Sequence, residues 1–268
     1  MLIANSEMAA TYLGTDTQTG QRVVIKVLHR NPGRERSMRI RFAHEVAALH
    51  TLDDPGVVKL LDSWITEEGE ACLAMPYLEG PTLRGVLQGG SPLAPARAAA
   101  IIEKLGRALT AMHERGVVHR DLKPENVIML NQNSAAEQPV VIDLGSSAAK
   151  GPEHQLEETT TLTGSLHYLA PERLAGQYSP ASDLFSLGVM ALELFTGMRP
   201  SEMAAVPSSP EFVVFVEAYV GTQAAETIAA ALSHQPSKRP QEALRWASDL
   251  AREVKGFIAN GRDVPPSN

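Results

Sequence analysis

Between residues 117 and 130 the chain reads Val-Val-His-Arg-Asp-Leu-Lys-Pro-Glu-Asn-Val-Ile-Met-Leu. Two short apolar runs of strand type enclose a polar loop in which Asp121 supplies a carboxylate, Lys123 a cation and Asn126 a carboxamide, while Pro124 restricts the backbone. Such a loop can hold reactive groups rigidly. A charged turn between two strands is common, so no single residue here is diagnostic; the ordered run is. A second unit, Pro139-Val140-Val141-Ile142-Asp143-Leu144-Gly145, ends a buried-type strand in an acid and a glycine. Asn126 and Asp143 are hard oxygen donors of the kind Mg²⁺ prefers, and Mg²⁺ is usually shared between such side chains and substrate phosphates.

The run His119-Arg120-Asp121-Leu122-Lys123-Pro124-Glu125-Asn126 resembles the catalytic loop of eukaryotic-type (Hanks-type) protein kinases. The similarity continues at other places. Asp143-Leu144-Gly145 stands where that family has Asp-Phe-Gly, with one apolar side chain swapped for another. Val23-Val24-Ile25-Lys26 is similar to its Val-Ala-Ile-Lys strand, and Gly164-Ser165-Leu166-His167-Tyr168-Leu169-Ala170-Pro171-Glu172 to the segment that closes its activation loop. The resemblance implies ATP and Mg²⁺ or Mn²⁺ as cofactors. Asp121 would orient the acceptor hydroxyl and take its proton, Lys123 would neutralise charge on the transferred group, and Asn126 and Asp143 would hold metal. Lys26 would anchor the phosphates, paired with Glu45 from a following helix. Met75 would be the gatekeeper, with adenine read by the Pro76 carbonyl and the Leu78 N–H. Asp183 would cap the backbone of the catalytic loop, and Arg239 would pair with Glu172.

The nucleotide roof departs from this pattern. Ala4, Ser6 and Ala9 stand where the family has three glycines, and Thr11 where it has a valine that packs on adenine. Glycine lets backbone amides approach phosphates and reach conformations closed to other residues, a freedom that small side chains only partly retain. Val24 also replaces an alanine, adding two methyl groups beneath the adenine. The family's first strand usually begins well before the glycine loop, whereas only Met1 and Leu2 precede Ile3.

The 268 residues and 44% hydrophobic content suffice for one large domain or two modest lobes. A net charge of −7 argues against a nucleic-acid surface. Arg34, Arg36, Arg39 and Arg41 form the one basic cluster and read as a solvated helix face. Cys72 is the sole cysteine, so no intramolecular disulfide or cysteine metal site can form. No apolar run approaches the roughly 20 residues of a membrane span, and no signal peptide is visible, which points to the cytoplasm.

The elements that must position these groups follow from periodicity and turn residues. Residues 1–30 predict strand, turn, strand, with the turn at Asp16-Thr17-Gln18-Thr19-Gly20. Residues 34–52 predict a helix. Val57 to Leu61 and Ala71 to Met75 predict two strands around an acidic turn. Helices are expected at 82–89, 95–115, 182–194, 211–219, 224–233 and 241–254, with a frayed tail over 258–268.

The expected fold is α+β: a two-lobed kinase fold with a small, mainly β lobe including the hinge over 1–78 and a larger, mainly α lobe over 79–257. Lys123, two residues after Asp121, is the serine/threonine-type arrangement, so the reading is transfer of the ATP γ-phosphoryl group to Ser or Thr hydroxyls of a protein substrate. The insert-poor large lobe resembles that of bacterial members. The segment between Asp143 and Glu172 is rich in hydroxyls, including Ser146 and Ser147, and Thr159, Thr160, Thr161 and Thr163 are the candidates for regulatory phosphorylation opposite Arg120, with a second copy of the chain as partner if this occurs in trans. A pseudokinase, binding partners without catalysis, is the competing class; the lost glycines favour it, while the retention of Lys26, Glu45, Asp121, Lys123, Asn126 and Asp143 favours the enzyme. A small-molecule phosphotransferase is a third class, disfavoured by the Ala170-Pro171-Glu172 segment.

Overall fold

The structure, a computed structural model, describes residues 1–5, 9–29, 42–43, 46–47, 49–143, 165–200 and 210–261. Its N-terminal part is an antiparallel sheet of five strands in the order β1-β2-β3-β5-β4. The strands are β1 (Leu2–Asn5), β2 (Ala9–Thr15), β3 (Arg22–Leu28), β4 (Asp62–Ile65) and β5 (Ala71–Pro76). The β-branched run Arg22–Leu28 is the middle strand because its residues can pack on both faces. The β2–β3 turn closes where expected: Asp16 Oδ1 accepts from the amides of Gln18 and Thr19 at 2.7 and 3.2 Å, and Gly20 takes φ 71°. Residues 42–43, 46–47 and 49–50 are helical, and Phe42, Val46 and Leu49 are buried. Among the described residues no helix is long and apolar enough to cross a membrane.

The C-terminal part is helical. Its elements are α1 (Leu83–Val86), α2 (Pro95–His113), α3 (Pro180–Thr196), α4 (Pro210–Val220), α5 (Thr222–Ala231) and α6 (Ala243–Ala259), with a two-stranded sheet of β6 (Val127–Leu130) and β7 (Gln138–Val141). Helix α3 is the core. Ser179 and Ser182 form a capping box at its start, Pro180 takes the first turn, and Gly197 ends it in the left-handed region at φ 71°. Residues Ala181 to Thr196 are all buried, the polar Ser182, Asp183, Ser186, Glu193 and Thr196 among them, so the helix is central and its polar groups need partners. Helix α2 lies against α6 so closely that a Cβ on Gly106 would stand 2.6 Å from the Ala247 methyl.

Three expectations need correction. Val57 to Leu61 is not a strand: it is a loop in which Val57, Val58 and Leu60 are buried and Leu61 is exposed, with Val58 N–H donating to Val141 O at 2.9 Å, and the strand lies one step later at Asp62–Ile65. The apolar residues that suggested a sheet instead dock onto β7, while the real strand is a mostly exposed edge with little alternation to betray it. The tail begins later than predicted, because α6 continues to Ala259 with Phe257 still buried. Leu2–Asn5 forms strand β1, paired with β2, where the resemblance aligned Ala4 with the first glycine of the nucleotide loop.

Candidate active site

The catalytic-loop residues are placed by α3. Asp183 is 1% exposed, and its carboxylate accepts from the backbone N–H of His119 at 2.8 Å and of Arg120 at 2.9 Å and contacts His113 Nε2 at 2.8 Å. Burial pushes this carboxyl up, but the His113 bond and neighbouring positive and N–H groups outweigh it and hold the group below its ordinary range. One buried anion thereby fixes two consecutive amides of the loop. Arg120 takes φ 72°, a left-handed conformation that a non-glycine residue holds only when its surroundings enforce it.

The next layer ties this loop to the strand carrying Asp143. His119 Nε2 donates to Ile142 O at 2.9 Å, and Nδ1 accepts from Asp121 N–H at 3.3 Å. Ile142 N–H donates to Asn126 O at 2.9 Å, joining the two units from the other side. Asp143 itself has φ 66°.

Within this frame Asp121, Lys123 and Asn126 converge. Lys123 Nζ lies 2.9 Å from Asp121 Oδ2, and Asn126 Nδ2 donates to Asp121 O at 2.8 Å and more weakly to its Oδ2 at 3.3 Å. With its amide nitrogen committed to Asp121, Asn126 offers its carboxamide oxygen to a cation. Together with the Asp143 carboxylate this makes a hard-oxygen donor pair that suits Mg²⁺.

Across the cleft, strand register brings the predicted roof residues onto one face. Thr11 pairs with Lys26 and Lys26 with Leu73; Ala9 pairs with Leu28, Val24 with Met75, and Ala4 with Thr11. Cross-strand partners and residues two apart share a face, so Ala4, Ala9, Thr11, Val24, Lys26 and Met75 lie together. Lys26 is buried and ion-paired with Asp143, which joins the roof to the lower units. Glu45, its expected partner, lies outside the described residues, as do Ser6, the arginine cluster and the hydroxyls between residues 146 and 163.

At the hinge, Tyr77 N–H donates to Arg22 O at 3.0 Å, while Ala74 O, on the opposite edge, accepts from Leu61 N–H at 2.8 Å. The alternation along β5 directs the Pro76 carbonyl to that same opposite edge, past the start of β4, and Leu78 follows two residues beyond the strand. The chain then runs against β6. Pro81 O accepts from Met129 N–H at 2.9 Å, and a Cβ on Gly80 would meet Met129 O at 2.3 Å.

Below the loop, Arg239 forms a two-pronged pair with Glu172, both arms at 2.7 Å, and also donates to Ala181 O and Ser233 O. Burial pushes the Glu172 carboxyl up, but the Arg239 bonds outweigh it and hold the group low. The Arg120 guanidinium lies 3.9 Å from the Tyr178 ring centre, with Arg173 at 5.4 Å from the same ring. Sequence reasoning missed a further cluster around Arg84, Glu125, Tyr168 and Glu193, because Arg84 and Glu193 are far apart in the chain and neither stands in a motif read from it.

The sequence matches the protein kinase domain family over residues 3–258. It is 32% identical over 265 residues to serine/threonine-protein kinase pkn2 of Myxococcus xanthus, covering 93% of this chain and 31% of that protein. It is 30% identical over 266 residues to serine/threonine-protein kinase PknB of Mycolicibacterium smegmatis, covering 93% and 41%. The chain therefore spans less than half the length of these curated relatives. The crystal structure of the Mycobacterium tuberculosis PknI kinase domain has the same fold, with a TM-score of 0.70 at 22% identity over 94% of both chains. With nearly the whole chain matched and the loop, hinge and roof assembled around one cleft, the chain belongs to the protein kinase domain family.

Proposed function

We propose that the chain transfers the ATP γ-phosphoryl group to Ser or Thr hydroxyls of a protein substrate. The observation that carries this reading is the convergence of Asp121, Lys123 and Asn126 in one bonded loop, with Asp143 on the strand tied to that loop and Lys26 paired to it from across the cleft. Asp121 lies where it can orient a hydroxyl and accept its proton, and Lys123, 2.9 Å away, can neutralise charge arriving on the transferred group. Lys26 anchors phosphates. The Pro76 carbonyl and Leu78 N–H read adenine under Val24, Thr11 and the hairpin bearing Ala4, Ser6 and Ala9. Glu45 orients Lys26. Asn126 and Asp143 hold Mg²⁺ or Mn²⁺, which when bound reduces the repulsion between the phosphates and an incoming nucleophile. The small lobe with its hinge is taken as residues 1–78 and the large lobe as 79–257.

Regulation is proposed at the hydroxyls Thr159, Thr160, Thr161 and Thr163, with Arg120 as the cation that receives a phosphate, and a second copy of the chain as the enzyme acting in trans. The lone, buried Cys72 suits a reducing compartment, so the cytoplasm is the proposed location. The glycine-free hairpin favours a second reading, a pseudokinase that binds partners without catalysis.

The deciding experiment compares the protein with its Asp121→Asn variant, using labelled ATP, protein acceptors and small-molecule acceptors. Label should reach Ser and Thr of protein, and the variant should fall by roughly 10²–10⁴-fold. Equal, negligible labelling by both forms establishes the pseudokinase. Transfer only to small molecules replaces the substrate class. Intact mass of the two forms after expression tests the regulatory claim, because equal phosphate content removes autophosphorylation.

A further inference from the structure

Helix α1 places Arg84 at a junction of four elements. Its Nε donates to Glu125 Oε1 at 2.7 Å, and Glu125 belongs to the turn Pro124–Asn126 that supplies Asn126 to the site. Its Nη2 donates to the Tyr168 hydroxyl at 2.6 Å, in the turn Ser165–Tyr168 just before Ala170-Pro171-Glu172. Both terminal nitrogens also reach the Glu193 carboxylate of α3, at 3.3 Å for Nη2, and the Tyr168 hydroxyl donates to the same carboxylate. Tyr168 and Glu193 are 3% and 2% exposed, whereas the Glu125 side chain is 45% exposed at the cleft. Burial and the Glu193 carboxylate push the Tyr168 phenol well up, so it remains a donor.

The chemistry of the cluster requires arginine. A planar guanidinium carries five donors in fixed directions and can bond three oxygens on three separate elements, whereas a lysine ammonium is a point charge that can serve one or two of them. Glu193 and α3 give the cluster a fixed base. From that base Arg84 holds the catalytic loop on one side and the Ser165–Tyr168 turn on the other, and so sets the spacing between them. On the phosphotransferase reading, an acceptor hydroxyl reaches Asp121 alongside these two segments.

We propose that Arg84 is a positioning residue for the acceptor: by bridging Glu125 and Tyr168 over Glu193 it fixes the width of the groove that receives an extended polypeptide, and it leaves the nucleotide half of the cleft alone. This rests on the phosphotransferase reading above.

The test uses Arg84→Lys, which keeps the charge and loses the fork, and Glu125→Gln, which weakens one arm. Amide hydrogen exchange is followed at residues 124–126 and 165–168, and KM is measured separately for a protein acceptor and for ATP. In Arg84→Lys, exchange should rise in both segments together and acceptor KM should rise roughly 10–100-fold, the scale of small misplacements of reacting groups, with ATP KM within about twofold. In Glu125→Gln, exchange should rise at 124–126 only. Unchanged exchange in both segments of Arg84→Lys, or acceptor and ATP KM rising in parallel, overturns the proposal in favour of a general structural role. If the parent protein labels no acceptor, the phosphotransferase reading fails on that result, and hydrogen exchange still decides whether Arg84 couples the two segments.

Discussion

The two sides of the cleft are held in opposite ways. The catalytic loop rests on a buried anion that binds two of its amides, and the segment below it is fixed by a two-pronged ion pair with an Arg239 side chain 0% exposed. The roof is a hairpin whose outer strand, Leu2–Asn5, is exposed along its length, and its link to the lower units runs through the Lys26–Asp143 pair. Buried charges that are fully partnered are costly to disturb, whereas a short edge strand has little burial to lose. The lower side is thus built by folding itself, whereas the roof's outer strand has little burial to hold it.

The sharpest way to break this contrast is to remove the anchor. Arg239→Ala strands the Glu172 carboxylate, 9% exposed, and should cost about 3–5 kcal/mol in urea unfolding, the range for an uncompensated buried charge. Lys26→Met at the roof should cost about 1–2 kcal/mol, because Asp143 keeps 27% of its side chain in water, yet it should abolish the thermal shift given by Mg·ATP. Equal losses of stability from the two substitutions would erase the distinction.

Acid should act on the same side. Asp183 and Glu172 both titrate below their ordinary values, since burial raises each carboxyl but the His113 bond and the Arg239 bonds, respectively, outweigh it. A depressed folded value means that the unfolded chain binds the proton more readily. The stabilisation is therefore complete above the unfolded value, about pH 4, and is lost as pH falls through the folded one. Stability measured by urea should hold from neutrality down to about pH 5 as far as these groups are concerned, then fall. Asp183→Asn should be less stable at pH 7 and should show a shallower acid decline; an unaltered slope would move the acid sensitivity elsewhere.

How much of this was legible depended on how local the signal was. The convergence of Asp121, Lys123 and Asn126 could be read because they sit within one short loop, and the bonding of Asp183 because a buried acid must have partners. The α3 helix was legible from its apolar run as 182–194; the capping serines, Pro180 and Gly197 that set its bounds at Pro180–Thr196 did not enter that reading. Val57 to Leu61 misled because an apolar run buried by docking onto β7 looks like an apolar run buried in a sheet, while Asp62–Ile65 alternates too little to announce itself. The Arg84 cluster was invisible for a different reason: its four members come from separate stretches, and only folding gives them a common neighbour.

The smallest expected effect bears on the roof itself. Restoring glycine at Ala4, Ser6 and Ala9 should lower stability, by about 0.5–1 kcal/mol per position, since each glycine gains freedom in the unfolded chain. Ala9 should contribute at the upper end because its methyl is buried opposite Leu28. Against that, a backbone amide newly able to reach a phosphate is worth about 1 kcal/mol, or roughly fivefold in affinity. Calorimetry with Mg·ATP on the parent and the triple variant separates the two terms. Tighter binding at reduced stability means that the small side chains limit the approach of the hairpin. Reduced stability with unchanged binding means that the hairpin does little of the holding, and that Lys26, Asp143 and the hinge backbone carry the nucleotide between them.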